Sequence, residues 1–158
     1  MKYMGSKARI AKHILPIMLE EAEKRGITTW IEPFVGGSNM IDKVPDTFKR
    51  IGYDNNKYLI EMYKELQEYG IQRFNQHIPK DLYDKVRNFY NGKDLTFKYN
   101  DSYVGWIGFM ASANGRFFDG GYSGVSQTKV GTHRNYIEES IKGLAKGLPS
   151  IKTVEFVC

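Results

Sequence analysis

The chain has 158 residues, which is enough for one domain with a hydrophobic core and too few for two ordinary domains. Apolar residues make up 41% of it, yet no apolar run approaches the roughly eighteen residues of a membrane span, and no signal peptide opens it, so we expect a cytoplasmic protein. The formal net charge of +5 permits a polyanionic partner without requiring one.

The cysteine and histidine pattern argues against a disulfide framework or a metal site. The single cysteine, Cys158, is the last residue of the sequence. The three histidines, His13, His77 and His133, lie far apart and lack ligand spacing. We therefore predict no bound metal.

The first part of the chain predicts a helix followed by a strand. Apolar residues recur at helical spacing over 8–24, with Pro16 either kinking the helix or starting a second one, and Gly26 ends it. The β-branched and aromatic segment ITTWIE, residues 27–32, predicts a buried strand. A short helix is predicted from Ser38 or Asn39 to about Lys43.

The middle of the chain predicts a second strand and three helices. FKRIGYDNN contains the strand, over Lys49–Tyr53, and then an acidic, amide-rich turn. Apolar spacing predicts helices over Lys57–Tyr69, Lys80–Tyr90 and Asp101–Ala113. The third helix is apolar enough to be packed rather than solvated.

The composition changes between Asn114 and Tyr136, where glycine, serine, threonine and aromatic residues replace the aliphatic ones. This composition predicts a long functional loop or hairpin. A helix over Tyr136–Lys146 follows, and KTVEFVC, residues 152–158, predicts a third strand.

A glycine turn directly after the first strand is the main candidate binding site. A strand, a glycine turn, a helix and a second strand ending in an acidic residue form half of an open α/β sheet, whose ligands bind at the carboxyl ends of the strands. Gly36 and Gly37 would let the main chain approach a ligand closely, and Asp54 could accept hydrogen bonds from both hydroxyls of a ribose. Alternatively, the turn only reverses the chain.

The spacing of this turn favours one class of nucleoside ligand. Gly36, Gly37 and Ser38 do not supply the G-x-G-x-x-G spacing that admits a pyrophosphate, and no lysine of a Walker loop follows. One close backbone approach and an acidic residue on the ribose suffice for S-adenosylmethionine. We therefore expect S-adenosylmethionine as the cofactor.

Five motifs carry a resemblance that extends over nearly the whole chain: KYMGSK (2–7), EPFVGGS (32–38), GYDNN (52–56), NGRFFDGGYSG (114–124) and VEFVC (154–158). In this order and at these separations, they resemble the Dam-like, D12-class adenine-N6 DNA methyltransferases. The resemblance implies an α/β fold, the Rossmann-like fold of S-adenosylmethionine-dependent methyltransferases. We expect a truncated half of it, a three-stranded parallel sheet with helices and an inserted DNA-facing hairpin and helical region.

The same resemblance implies how the chain is organised. The 158 residues would form a single partial methyltransferase domain, with a cofactor-binding half over 1–70. A helical and DNA-recognition insertion would cover about 71–135, and a closing helix and strand 136–158.

The resemblance also assigns cofactor-binding residues: Tyr3, Lys7, Glu32, Phe34, Val35, Gly36, Gly37 and Asp54. Lys7 would lie near the cofactor carboxylate, unless it is only a solvated residue in a first helical turn. Glu32 would face the amino or sulfonium end of the cofactor or would cap local backbone.

One departure from the family pattern concerns Ser38, where the family usually has a glycine. A serine is tolerated there if φ is negative and is costly if φ is positive.

The loop from Asn114 to Tyr136 corresponds to the DNA-facing hairpin of the family. The expected phosphate contacts are Arg116, Lys129, His133 and Arg134, and the expected readers of base edges are Asn114, Gln127 and Thr128. Phe117, Phe118 and Tyr122 would either fill the space left by an extruded adenine or pack the loop on the body. The partner would be double-stranded DNA with a flipped adenine.

No catalytic residue is assigned, because the family activates the adenine amine with a D-P-P-Y motif and the 158 residues contain no such tetrapeptide. In the family this motif follows on the next strand. We therefore expect the N-terminal portion of a site-specific adenine-N6 DNA methyltransferase, inactive alone, with its first strand as an exposed sheet edge that could support a dimer. Two alternatives stay open: a non-catalytic module, binding S-adenosylmethionine or DNA, that a separate subunit completes, and a nucleotide-dependent oxidoreductase.

Overall fold

The computed structural model describes residues 1–127 and 129–158. Its helices and strands follow one another along the chain as α1 (Ala8–Lys24), β1 (Thr29–Glu32), β2 (Lys49–Tyr53), α2 (Lys57–Tyr69), α3 (Lys80–Tyr90), α4 (Asp101–Ala111), β3 (Val125–Gln127), β4 (His133–Asn135), α5 (Tyr136–Ile151) and β5 (Glu155–Val157).

A three-stranded parallel sheet organises the fold. Its strand order is β1-β2-β5, with Thr29 opposite Lys49 at the start of the first pair and Ile51 opposite Glu155 at the start of the second. Parallel strands bring their carboxyl ends to one edge, so the turns after β1 and β2 lie side by side there. The prediction of a three-stranded parallel sheet in an α/β protein is confirmed.

The apolar face of α2 packs against α4, which forms the centre of the core. Asn56 begins α2 by accepting hydrogen bonds from the backbone N–H groups of Tyr58 (3.1 Å) and Leu59 (3.2 Å). A side chain at Gly105 of α4 would overlap the carbonyl oxygen of Tyr58, so only glycine allows this close approach. Nine of the eleven residues of α4 are buried, which confirms that this helix is packed.

A buried arginine fastens the turn after β1 to the far end of α5. The Arg50 guanidinium donates to the carbonyl oxygens of Val44 (3.0 Å) and Ser150 (2.8 Å) and to the Thr153 hydroxyl (2.7 Å). Arg50 is 5% exposed, and none of its hydrogen-bond partners among the described residues is a carboxylate. Since each of these bonds involves a charged donor, they stabilise this corner of the sheet.

Three local predictions were wrong in part. The segment after Ser38 forms a single 3₁₀ turn over Ile41–Lys43 instead of a helix beginning at Ser38 or Asn39. β1 is not a buried strand, because it lies at the edge of the sheet and Ile31 is 55% exposed. α5 continues past Lys146 to Ile151, with Pro149 inside its last turn.

The first helix settles an alternative that the sequence left open. α1 runs through Pro16 without a second helix starting there, and Pro16 lies on its exposed side. Gly26, with φ of +65°, follows the last turn as expected.

Candidate functional site

The glycine turn lies against the carboxyl ends of β1 and β2. The backbone N–H of Val35 donates to the carbonyl oxygen of Tyr53 (2.8 Å), which joins the turn to the end of β2. Gly36 has φ of +45°, a conformation that favours glycine. The turn therefore presents bare backbone at the sheet edge where α/β proteins bind ligands.

Asp54 connects the two turns through its carboxylate. One oxygen accepts the Gly36 N–H (3.0 Å) and the other accepts the Asn56 N–H (3.0 Å). A carboxylate oxygen can accept more than one hydrogen bond, so both oxygens retain capacity for the hydroxyls of a ligand. Asp54 thus shapes the turn and also offers it an anionic side chain.

The N-terminal segment covers the glycine turn. A Cβ atom added at Gly36 would lie 2.8 Å from Tyr3 Cε1, and one added at Gly37 would lie 2.7 Å from Tyr3 Cβ. The Tyr3 ring stacks on Phe109, with ring centroids 5.7 Å apart. Burial raises the pKa of Tyr3, and the charge of Asp54 raises it further. Both glycines are therefore required for the N-terminal segment to pack on the turn.

These segments enclose a small pocket at the sheet edge. Its lining includes seven of the eight residues expected to bind the cofactor: Tyr3, Lys7, Glu32, Phe34, Val35, Gly36 and Gly37. The eighth, Asp54, is hydrogen-bonded to the Gly36 N–H. The structure thus brings the expected residues together.

The pocket also contains residues that the sequence reasoning missed, namely Gly5, Ser6, Asn39 and Met40. The Asn39 amide donates to the Ser6 hydroxyl (2.8 Å), which links the N-terminal segment to the turn. Gly5 and Ser6 belong to the KYMGSK motif, so the motif itself was the available signal.

Glu32 caps local backbone, which is one of the two roles that the sequence left open, and it also lines the pocket. Its Oε2 accepts the backbone N–H of Ile41 (3.0 Å). Burial raises the pKa of Glu32 to about 7, although the Ile41 N–H and the charge of Lys7 oppose the rise. The charge of this carboxyl group therefore changes near neutral pH.

Phe34 and Val35 contribute to the pocket in different ways. Phe34 is 78% exposed, so its ring is available to a ligand. Val35 is buried, and its side chain packs over Gly52 on β2. Only the main chain of Val35 is therefore free to approach a ligand.

Ser38 adopts the costly conformation of the two that the sequence allowed. Its φ is +56°, and its buried hydroxyl forms no hydrogen bond with the described residues. The neighbouring Tyr63 hydroxyl donates instead to the carbonyl oxygen of Gly36 (2.9 Å). Burial raises the pKa of Tyr63. A glycine would fit this position with less strain.

The residues that line this pocket lie within a segment that matches a known protein family. The family model of the D12 class N6 adenine-specific DNA methyltransferases matches residues 3–105. The chain belongs to this family. The resemblance seen in the sequence is confirmed, and a comparison with curated proteins found no match. The matched residues include the glycine turn, Asp54 and the first turn of α4.

The segment expected to face DNA contains an exposed antiparallel strand pair, β3 and β4, outside the matched residues. The expected DNA contacts Asn114, Arg116, Gln127, Lys129, His133 and Arg134 are all exposed, and Thr128 lies outside the described residues. Arg116 lies 3.9 Å from Asp119, and Arg134 is paired with Glu139. Acidic side chains therefore compete with DNA phosphates for both arginines.

The aromatic residues of this segment pack on the body of the domain. Phe118 is 3% exposed, and Phe117 stacks on Phe109 with ring centroids 4.6 Å apart. The Tyr122 hydroxyl donates to the carbonyl oxygen of Ile78 (2.8 Å). Of the two roles considered for these residues, packing is the one observed in this structure.

Neither a cluster of possible metal ligands nor a membrane-spanning helix occurs among the described residues of this D12-class chain. Across residues 1–127 and 129–158, no three or more histidine, cysteine or acidic side chains are grouped as a metal site would require. In the same ranges, no helix has the length and apolar character to cross a membrane.

Proposed function

We propose that this chain binds S-adenosylmethionine at the Gly36–Gly37 turn and acts in the N6 methylation of adenine in double-stranded DNA. The observation that carries the proposal is the convergence on Gly36 of two distant side chains, the Asp54 carboxylate and the Tyr3 ring. Family membership supplies the reaction class, because D12-class members are adenine-specific DNA methyltransferases. We also propose that the sheet is half of the Rossmann-like fold of such enzymes.

The residues present fit this cofactor. The lack of a side chain at Gly36 keeps the main chain of the turn directly against Tyr3, since an added Cβ atom would lie 2.8 Å from Tyr3 Cε1. Asp54 would accept hydrogen bonds from the ribose hydroxyls, and Lys7, which forms no salt bridge with the described residues, would attract the carboxylate. Phe34 would cover the methionyl and adenosyl groups, with the Gly37 backbone beneath them. When bound, the cofactor would supply the methyl group.

Glu32 would lie toward the positively charged end of the cofactor. Its carboxyl group lines the same pocket as Lys7, and its pKa of about 7 leaves it partly ionised at neutral pH. An ionised Glu32 would attract a sulfonium or ammonium group, whereas a protonated one would not.

On the DNA side, we propose that the β3–β4 hairpin contacts the duplex. Lys129, His133 and Arg134 would contact phosphates together with Arg116 of the preceding turn. The exposed Asn114 and Gln127 would read base edges. The adenine would be flipped out of the duplex, as enzymes that modify a base require.

We propose that this chain provides the cofactor half of the reaction and does not transfer the methyl group unaided. No D-P-P-Y tetrapeptide occurs in the 158 residues, and we assign no other residue to the activation of the adenine amine. A second candidate function, a non-catalytic module that a separate subunit completes, is favoured by the edge of β1. One side of β1 pairs with β2 and no described strand pairs with its other side, where Ile31 on β1 and Ile17 on α1 are 55% and 70% exposed.

Calorimetric titration with S-adenosylhomocysteine tests the cofactor proposal. We expect measurable binding by the wild-type chain, and loss of at least about tenfold in affinity in Asp54→Asn, which removes the charge and replaces one of the two acceptor oxygens with an NH2 donor. Asp46→Asn removes an exposed carboxylate remote from the turn and should bind like the wild type. A folded wild-type chain that does not bind, or equal binding by Asp54→Asn, would overturn the proposal.

Methyl transfer to duplex DNA distinguishes the catalytic alternatives. We expect none from the chain alone. Transfer by the isolated chain would contradict the proposed absence of the catalytic residues. Transfer only after addition of a second polypeptide that carries a D-P-P-Y segment would favour the module.

A further inference from the structure

Glu139 on α5 pairs with two cations, the nearby Arg134 and the distant Lys2. Arg134 donates to it through Nε (2.9 Å) and Nη2 (2.7 Å), and Lys2 approaches with Nζ 3.4 Å away. The hydrogen bonds from Arg134, followed by that from Lys2, lower the pKa of Glu139 to about 2. The carboxylate is therefore charged at neutral pH.

This set of donors suits a phosphate as well as a carboxylate. A guanidinium that donates two parallel hydrogen bonds, with an ammonium group beside it, is a common arrangement around phosphate oxygens. The two cations also lie over the ring of Tyr136, with Lys2 Nζ 5.6 Å and Arg134 Cζ 5.0 Å from its centroid. The ring helps to hold both cations on the same side of α5.

The cluster is at a junction between the segments that the proposed function uses. Arg134 belongs to β4 of the hairpin, and Lys2 directly precedes Tyr3 of the cofactor pocket. The backbone of Lys2 packs so closely on Gly115 that a side chain at Gly115 would overlap it. The two cations are thus held between the hairpin and the turn that contains Asn114.

The contact with Glu139 is exchangeable because all three side chains are open to solvent. The exposed fractions of the side chains are 43% for Lys2, 48% for Arg134 and 37% for Glu139. Exposed ion pairs contribute little to stability and are weakened by salt. A DNA phosphate that makes the same contacts can therefore replace the carboxylate.

We propose that Lys2 and Arg134 form a binding site for a DNA backbone phosphate, and that Glu139 occupies this site in the free protein as an intramolecular competitor. The inference rests on the proposed function, since it assumes that the hairpin faces DNA. It adds Lys2 to the DNA-contacting surface and gives Glu139 the role of weakening DNA binding in the free chain.

The test is the affinity of the full chain for a short fluorescein-labelled DNA duplex, measured by anisotropy over a range of salt concentrations. Glu139→Gln removes the competitor, and we expect it to tighten binding about fivefold at low salt. Glu138→Gln is the matched control, since it removes one negative charge from the adjacent position, where Glu138 pairs with Lys142 (2.5 Å). It should tighten binding no more than about twofold. Equal gains in the two variants would show a general charge effect and would overturn the inference.

A second set of variants tests the two cations. In the Glu139→Gln background, Lys2→Met and Arg134→Met should each weaken DNA binding about fivefold and reduce the salt slope by about one. Lys142→Met, the control, should leave the slope unchanged. An unchanged slope for both Lys2→Met and Arg134→Met would overturn the inference.

Binding of S-adenosylhomocysteine separates this inference from the proposed function. All the variants should bind it like the wild type. A chain that binds S-adenosylhomocysteine but whose DNA affinity does not respond to Glu139→Gln would refute the phosphate site and leave the cofactor proposal standing.

Discussion

Ser38→Gly should make the protein more stable. Ser38 has φ of +56° and its hydroxyl is buried without a hydrogen-bond partner among the described residues. A non-glycine residue in this left-handed conformation costs about 1–2 kcal/mol. An unpaired buried hydroxyl adds about 1 kcal/mol.

The gain is reduced because glycine has more freedom in the unfolded chain, which costs about 1 kcal/mol. We therefore expect the free energy of unfolding to rise by about 1–2 kcal/mol, and the melting temperature by about 2–8 °C for a domain of this size. Urea unfolding measures the free energy and thermal unfolding measures the melting temperature. If the slope of the free energy against urea concentration is the same in the variant and the wild type, their unfolded states are comparable.

Two further variants separate the causes. Ser38→Ala removes the hydroxyl but keeps the Cβ atom, so its gain should be smaller than that of Ser38→Gly. Asn114 also has a positive φ (+55°), but asparagine tolerates this conformation, so Asn114→Gly relieves little strain and should lower stability by up to about 1 kcal/mol. The reasoning is refuted if Ser38→Gly does not exceed Ser38→Ala, or if Asn114→Gly gains as much.

Three other changes have defined outcomes. Gly36→Ala should weaken S-adenosylhomocysteine binding more than tenfold, by roughly 1.4 kcal/mol or more, because its Cβ would displace Tyr3, whereas Gly143→Ala, in open space on α5, should leave calorimetric binding unchanged. Because the pKa of Glu32 is raised to about 7, the folded protein binds more protons than the unfolded chain between the ordinary carboxyl pKa and 7. The free energy of unfolding measured with urea should therefore fall as pH rises through this window. Glutamine does not titrate, so the part of the fall that Glu32 causes should be absent in Glu32→Gln. Arg50→Lys cannot make all the hydrogen bonds of the buried guanidinium and should lower the free energy of unfolding by about 2 kcal/mol, and unchanged stability would contradict this role.

Much of the fold follows from local sequence pattern. The bounds of β2, α2 and α3 agree with the predicted ranges because their apolar spacing, together with the cap at Asn56 for α2, is encoded within each segment. The predicted helix after Ser38 fails because the good capping residue there adopts φ of +56° instead of beginning a helix. Burial of β1 depends on which strands flank it, and that information is not contained in the six-residue segment that predicted it.

The candidate site is predictable to the extent that motifs encode it. The residues from KYMGSK and EPFVGGS meet in one pocket, as expected from their resemblance to the D12 class. The link between Asn39 and Ser6, and the pairing of Lys2 and Arg134 with Glu139, were not anticipated. The contacts of Asn39 with Ser6 and of Lys2 with Glu139 join residues far apart in sequence, so no periodicity or spacing can reveal them.

The most direct test of the central claim is a crystal structure of this chain with S-adenosylhomocysteine. The account predicts that the ligand lies on the Gly36–Gly37 turn, with its ribose hydroxyls hydrogen-bonded to Asp54 and its carboxylate within reach of Lys7. A ligand bound elsewhere, with the Asp54 carboxylate contacting only the backbone of Gly36 and Asn56, would contradict it.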